Sequence, residues 1–376
     1  MGKKQEEPGR CILLAVTGLS PQIVTETLYA LVVRKGAAHV PTEVRLVTTA
    51  EGADRARLNL LHAETGWFHR FRRDYDVPDI HFDEDCIETL ADGRGRPLHD
   101  IRTPSDNRHA ADALTRAVRD LTSDPDCTLH VSIAGGRKTL GYYAGYALSL
   151  FGRPRDRLSH VLVSAPFESH PDFYYPTPES RVIHTPPPER RPLDTREAQV
   201  TLAEIPFVRL REGLPRRLLK GQATFSDTVA AAQRAMQPPS LEIDPGTRRI
   251  VAGEETVALS PADFAFYVWM AHRRATGKQP VHWGDAGIGE EYLAEYAAVV
   301  GEYSGDYERA EAALRNEILK DWFEQRKSRT NTAIRSALGE QLAHAYLITG
   351  SGQRPTTRFG LALPPEAILF SGPKSE

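Results

Sequence analysis

Val131–Tyr142 reads VSIAGGRKTLGY. The β-rich run HVSIA stops at two adjacent glycines, and ArgLysThr then leads into an apolar helical segment, so a strand meets a helix at an outward-facing turn. Such a turn suits an anion. Gly135 and Gly136 can take positive φ and let a ligand approach the backbone, the helix start offers unpaired N–H groups, and Arg137 and Lys138 add full charge. The phosphate-binding P-loop pattern does not fit. It requires glycine where Val131 stands and lysine where Arg137 stands. A plain structural turn with solvated basic residues is the competing reading.

Working outward, CILLAVT (Cys11 to Thr17) is a buried-type strand, followed by the polar turn Gly18-Leu19-Ser20-Pro21-Gln22 and a helix that stops at Gly36. EVRLVTT (Glu43 to Thr49) is a second strand, with one long helix expected from Glu51 to Tyr75. A weak third strand is expected over Asp79 to Phe82, a helix from Asp106 to Leu121, a strand from Leu129 to Ala134, and a last strand from His160 to Pro166. This alternation predicts an α/β fold with a Rossmann-like parallel sheet. Its ligand would sit outside the carboxyl ends of the strands, where Thr17–Gln22, Thr48–Thr49 and the GGRK turn gather. Thr17 and Ser20 have a second reading as helix N-caps, as does Asp106.

The Pro- and charge-rich residues 170–192 read as a linker or arm, and Ser240 to Glu376 changes character. Two hairpin strands, a capped helix at SPADFAFYVWMAHRRATG, a basic-flanked helix and a terminal ribbon predict a smaller winged-helix-like α+β domain. The expected division is a flexible tail over 1–10, the α/β domain over 11–185, a connecting region over 186–239 and the second domain over 240–376. Arg326, Lys327, Arg329, Arg335, Arg354 and Arg358 would form a DNA-contacting face, or a merely solvated one.

With 376 residues, 40% apolar content and a net charge of −3, two cored domains are expected and any basic site must be local. Cys11, Cys86 and Cys127 are scattered, which suits free thiols in a reducing cytoplasm. No apolar run reaches the ~20 residues of a membrane span. GxGxxG and GxSxG are both missing, so dinucleotide redox chemistry and serine hydrolysis lose support.

VTGLSPQ with TETLYAL, the VSIAGGRKTLGYYAGYALSLFG stretch and IPFVRLR together resemble CRISPR-associated ring nucleases built on a CRISPR-associated Rossmann fold (CARF) domain, over roughly Cys11 to Arg211. The resemblance implies a homodimer that binds a cyclic oligoadenylate across its two-fold axis, with cyclic tetra-adenylate the expected ring. It also implies cleavage of that ring without metal or cofactor, which would end type III CRISPR signalling. On this reading Lys138 stabilises transition-state charge, Arg137 supports it, and Thr17 or Ser20 orients a phosphate or the attacking hydroxyl. Gly18, Leu19, Gln22, Thr48, Thr49, Gly135, Gly136, Thr139, Arg102 and Asn107 would line the ligand site. The R-x4-6-H spacing of effector ribonucleases occurs only inside the α/β domain, as at Arg57 to His62, which disfavours such an effector. The rival reading is an oligoadenylate-gated winged-helix regulator that binds DNA and need not consume its ligand.

Overall fold

The computed structural model describes residues 9–36, 39–214, 218–219, 221, 223–234, 237–253, 255–314, 320–353 and 355–371. Residues 1–8 of the expected tail and Arg354 lie outside them. The chain divides into two compact units, Met1–Arg211 with Gln222–Asp227, and Glu212–Gly221 with Thr228–Glu376.

The first unit is built on β1 (Cys11–Val16), β2 (Glu43–Thr48), β3 (Ile87–Thr89), β4 (Thr128–Ser132) and β5 (Arg157–Val163). They pair in parallel in the order β3-β2-β1-β4-β5. Central β1 is the most apolar of them because it is covered on both faces: Ile12 to Val16 are essentially inaccessible. Its residue Ala15 lies opposite Leu46 on one side and Ser132 on the other. Helices α1 (Gln22–Leu28, continuing as a π-turn to Lys35), α2 (Ala50–Ala56), α3 (Trp67–Asp74), α4 (Pro104–Ser123) and α5 (Lys138–Phe151) make the crossovers.

Three expectations are corrected. The single helix after β2 is two, because the chain breaks over 62–66 and a Cβ on Gly66 would stand 2.3 Å from the Leu60 carbonyl oxygen. Asp79 to Phe82 contributes only a bridge from His81 to Glu43; the third strand is Ile87–Thr89. The Pro-rich segment is not a free linker. Phe173, Tyr174 and Tyr175 are buried, and β6 (Val182–His184) pairs with β7 (Pro192–Asp194). β8 (Val200–Glu204) then closes the central sheet antiparallel to β5, with Val161 opposite Leu202. The first unit therefore runs past residue 185 because that aromatic cluster and β8 belong to its core and sheet.

The unit boundary falls within α6 (Phe225–Arg234). In the second unit β9 (Leu241–Asp244), β10 (Arg249–Ala252) and β11 (Glu255–Val257) form the expected antiparallel turns. They are followed by α7 (Pro261–Ala275), which Ser260 caps by accepting from the Asp263 N–H. Then come α8 (Ile288–Val300), α9 (Gly305–Leu314) and α10 (Lys320–Leu338), around a core of Phe264, Phe266, Trp269, Tyr292 and Phe323. β12 (Ile348–Ser351) and β13 (Arg358–Leu361) make the terminal ribbon, to which Val281 bridges through Phe359. β14 (Ile368–Phe370) returns parallel to β9. This is a small α+β domain. No helix among the described residues is long and apolar enough to cross a membrane.

Candidate ligand-binding and active site

The turns that follow β1 and β4 touch. Gly136 has φ +80°, and a Cβ there would stand 3.1 Å from the Gly18 nitrogen; a Cβ on Gly18 would in turn lie 3.0 Å from the Gly136 Cα. Both the left-handed conformation and the close approach demand glycine. Gly135, expected to share the positive φ, does not; it packs over Ile23 instead. The two strands adjoin in the sheet while their helices leave in different directions, so their carboxyl ends open the crevice where ligands of doubly wound sheets sit.

Gly136 puts Arg137 at the N-cap position of α5 and Lys138 at its first turn, with no side chain capping the helix. Its leading N–H groups are thus unclaimed by a side chain. Lys138 and Thr139 are exposed, and neither has a side-chain partner among the described residues. Arg137 is different. Its Nε donates to Asp100 Oδ1 at 3.0 Å and its Nη2 donates to Asp100 Oδ2, a two-point clamp that holds the Asp100 carboxyl well below the usual carboxylate range. Asp100 also accepts from the Ile101 N–H at 2.8 Å and from Arg102 Nε at 3.2 Å. The charge expected to meet phosphate at Arg137 is already met by a carboxylate. Sequence reasoning missed Asp100, since 37 residues separate it from Arg137 and no local pattern links them.

The two candidate hydroxyls also separate. Thr17 is fully buried and its Oγ1 donates to Thr48 Oγ1 at 3.4 Å, while Thr48 Oγ1 donates to the Gly18 carbonyl at 3.3 Å. These threonines tie the ends of β1 and β2 together. Ser20 is exposed and has no partner among the described residues. Neither Thr17 nor Ser20 caps α1, whose N-cap position is Pro21 without a side-chain cap. By contrast Thr49 caps α2, accepting from Gly52 N–H at 3.4 Å. Thr103 caps α4 in a capping box with Asp106, which is therefore the third helical residue and not the cap. Asn107 donates to the Tyr143 hydroxyl on α5 and does not line the crevice.

Two hollows flank the Gly135–Gly136 turn. One, of about 430 Å³, is lined by Gly18, Leu19, Ser20, Thr49, Arg102 and Arg137, with Glu51, His99 and Asp100 also on its wall. The other, of about 270 Å³, lies between α1, the end of β4 and β5, and takes in Gln22, Glu26 and His160. Ser20 and Gly136 line both. Of the groups that could meet round a metal ion among the described residues, His81, Asp83 and Cys86 lie near the amino ends of β2 and β3, not here.

In the second unit most of the basic residues expected to face DNA are committed. Arg326 donates to Asp263 at 2.8 Å, Lys327 pairs with Glu324 at 2.5 Å, Arg335 with Glu340 at 3.1 Å and Arg358 with Asp285 at 2.8 Å. Arg329 is exposed, with no partner among the described residues.

Fold and site define a doubly wound α/β protein with an uncapped glycine turn at its strand ends, joined to a small α+β domain. The chain belongs to the CRISPR-associated protein NE0113 family, whose model matches residues 20–238 and so takes in Ser20, Thr48, Thr49 and the Gly135–Lys138 turn. Among solved structures it is similar to Enterococcus italicus Csm6 bound to cyclic hexa-2′-fluoro-hexa-dAMP, at 10% identity and a TM-score of 0.26, covering 87% of this chain and 58% of that one. The match thus spans under two thirds of the Csm6 chain. No curated protein matches.

Proposed function

We propose that this CRISPR-associated protein binds a cyclic oligoadenylate at the Gly135–Gly136 turn and opens the ring. One observation carries the reading: an unpartnered Lys138 ammonium at an uncapped helix start, on a turn whose backbone touches the loop holding the unpartnered Ser20 hydroxyl. Cation, helix N–H groups and hydroxyl are carried on two touching loops and together form a set suited to a phosphodiester.

The reaction needs no metal. The ribose 2′-oxygen attacks the adjacent phosphorus, the bond to the 5′-oxygen breaks, the 2′ proton passes to water and the departing 5′-oxygen takes one up. The product is a linear strand with a 2′,3′-cyclic phosphate. Catalysis consists of in-line geometry and charge stabilisation. Lys138 stabilises the phosphorane oxygens, Ser20 orients the attacking hydroxyl, and Arg137, clamped by Asp100, positions the turn. Thr17 serves the fold instead. Two copies of the chain would each present one such turn to half of an even-membered ring, and a four-membered ring is the smallest that offers each copy a complete dinucleotide. Cleavage would remove the messenger of type III CRISPR signalling.

The ion pairs of the second unit leave the DNA-regulator reading without comparable support. The test is incubation with cyclic tri-, tetra- and hexa-adenylate in EDTA, beside Lys138→Ala and Ser20→Ala. Conversion of an even ring to linear product, lost in Lys138→Ala, supports the proposal; binding of a ring without cleavage by the unaltered protein overturns it.

A further inference from the structure

The smaller hollow contains a group that the cleavage reaction does not use. Glu26, on α1, is 8% exposed and lines the hollow, yet its carboxyl makes no hydrogen bond among the described residues. Gln22, one turn earlier, donates through Nε2 to the Pro171 carbonyl at 3.0 Å, but its Oε1 is buried without a partner. A buried unpaired polar atom is costly, and the Gln22 oxygen beside a largely buried carboxyl without a hydrogen bond marks this hollow of about 270 Å³ as a place prepared for a polar guest. The volume falls just below the ~300 Å³ at which pockets for drug-sized ligands begin, a size suited to one base or nucleoside.

We infer that the hollow beside α1 is an adenine-reading subsite in which the Glu26 carboxylic acid donates its O–H to a ring nitrogen of the base and accepts from the exocyclic amino group. This rests on the oligoadenylate reading above and adds to it the residue that selects the base. The placement is consistent: Ser20 and Gly136 line both hollows, so a nucleotide straddling the turn puts its base beside Glu26 and its phosphate at the start of α5. The chemistry is specific as to protonation state. A neutral carboxyl offers one donor and one acceptor, matching the acceptor and donor on adenine's edge, whereas a carboxylate only accepts and cannot satisfy the ring nitrogen.

The surroundings favour the neutral form. Burial, followed by the repulsion of Glu168, pushes the Glu26 carboxyl up to about 8. The other titratable groups facing the hollow are His160 and His170. His170 donates through Nε2 to the His184 carbonyl at 2.8 Å and accepts the Asp172 N–H at Nδ1, so both ring nitrogens are engaged within the protein.

The test uses cyclic 2′-deoxyadenylate rings of three, four and six residues, which lack the attacking hydroxyl and cannot be consumed. Only the protonated fraction binds, so affinity at pH 9 should be about tenfold weaker than at pH 7. Glu26→Gln, which keeps a donor and an acceptor, should bind at both pH values without that fall, and Glu26→Leu should lose at least tenfold at pH 7. Equal affinity of the unaltered protein at the two pH values, or undiminished binding by Glu26→Leu, overturns the subsite and leaves the cleavage proposal standing. Failure of the unaltered protein to bind any ring overturns both.

Discussion

Two of the strand-to-helix turns at the carboxyl edge of the sheet are closed by side chains and two are not. Thr49 caps α2 and the Thr103–Asp106 box caps α4, whereas α1 and α5 begin at Pro21 and Arg137 with no side-chain cap. All four helices face the same need to satisfy their leading N–H groups. The open pair are those whose loops touch through Gly18 and Gly136. Capped starts serve folding, and the uncapped starts remain available to a guest.

The sharpest way to break this comparison is Lys138→Ala. It should lower ring turnover by roughly 10²–10³-fold, as expected when one charge-stabilising donor is removed, while leaving the melting temperature nearly unchanged because the side chain is exposed. Next in size is the pH dependence of stability. Glu26 holds its proton up to about pH 8 when folded, against about 4.5 when unfolded. The folded state therefore binds more protons between these values, and the stability due to this group, full below pH 4.5, is lost as pH rises through 8. Denaturant titrations should show a slope approaching −1.4 kcal/mol per pH unit within that window, removed in Glu26→Gln. Gly136→Ala should cost about 1–2 kcal/mol, because alanine is strained at positive φ, and should impair ring binding as well. Smallest, and confined to the closed pair, Thr103→Ala should cost about 1 kcal/mol without altering turnover. Loss of turnover there would remove the distinction between the two kinds of start.

Much of the architecture was legible because it is local. The apolar runs of β1, β2 and β4, the glycine turn and the Ser260 cap each announce themselves within ten residues, and the βα alternation implies the parallel order. What escaped depends on distant partners or on competing signals. Pro and charge over 170–192 suggested exposure, yet Phe173, Tyr174 and Tyr175 are buried; the aromatic density was the better guide. β8 adds to the edge of a sheet whose other strands are parallel, a pairing that no periodicity encodes. At the site, the GGRK turn and Ser20 were readable, but that Thr17 is spent on Thr48 and Arg137 on Asp100 is decided by the fold. Glu26 did leave a trace. It is the one acidic residue in Ile23 to Leu31, whose members are buried apart from half-buried Tyr29, and a charge in such a run asks for an explanation.

The Asp100 clamp on Arg137 has a kinetic as well as a structural side. A carboxylate fixed in the wall occupies the guanidinium as an internal counter-ion, present at an effective concentration that free anions in solution do not match. Solitary phosphates and mononucleotides must compete with it on a single contact, while a ring held at several points does not depend on winning that one exchange. On the function proposed above, the clamp would filter out the commonest anions of a cell: Asp100→Asn should make ring binding sensitive to inhibition by AMP at concentrations the unaltered protein ignores, and equal inhibition of both forms would show that no such filter operates.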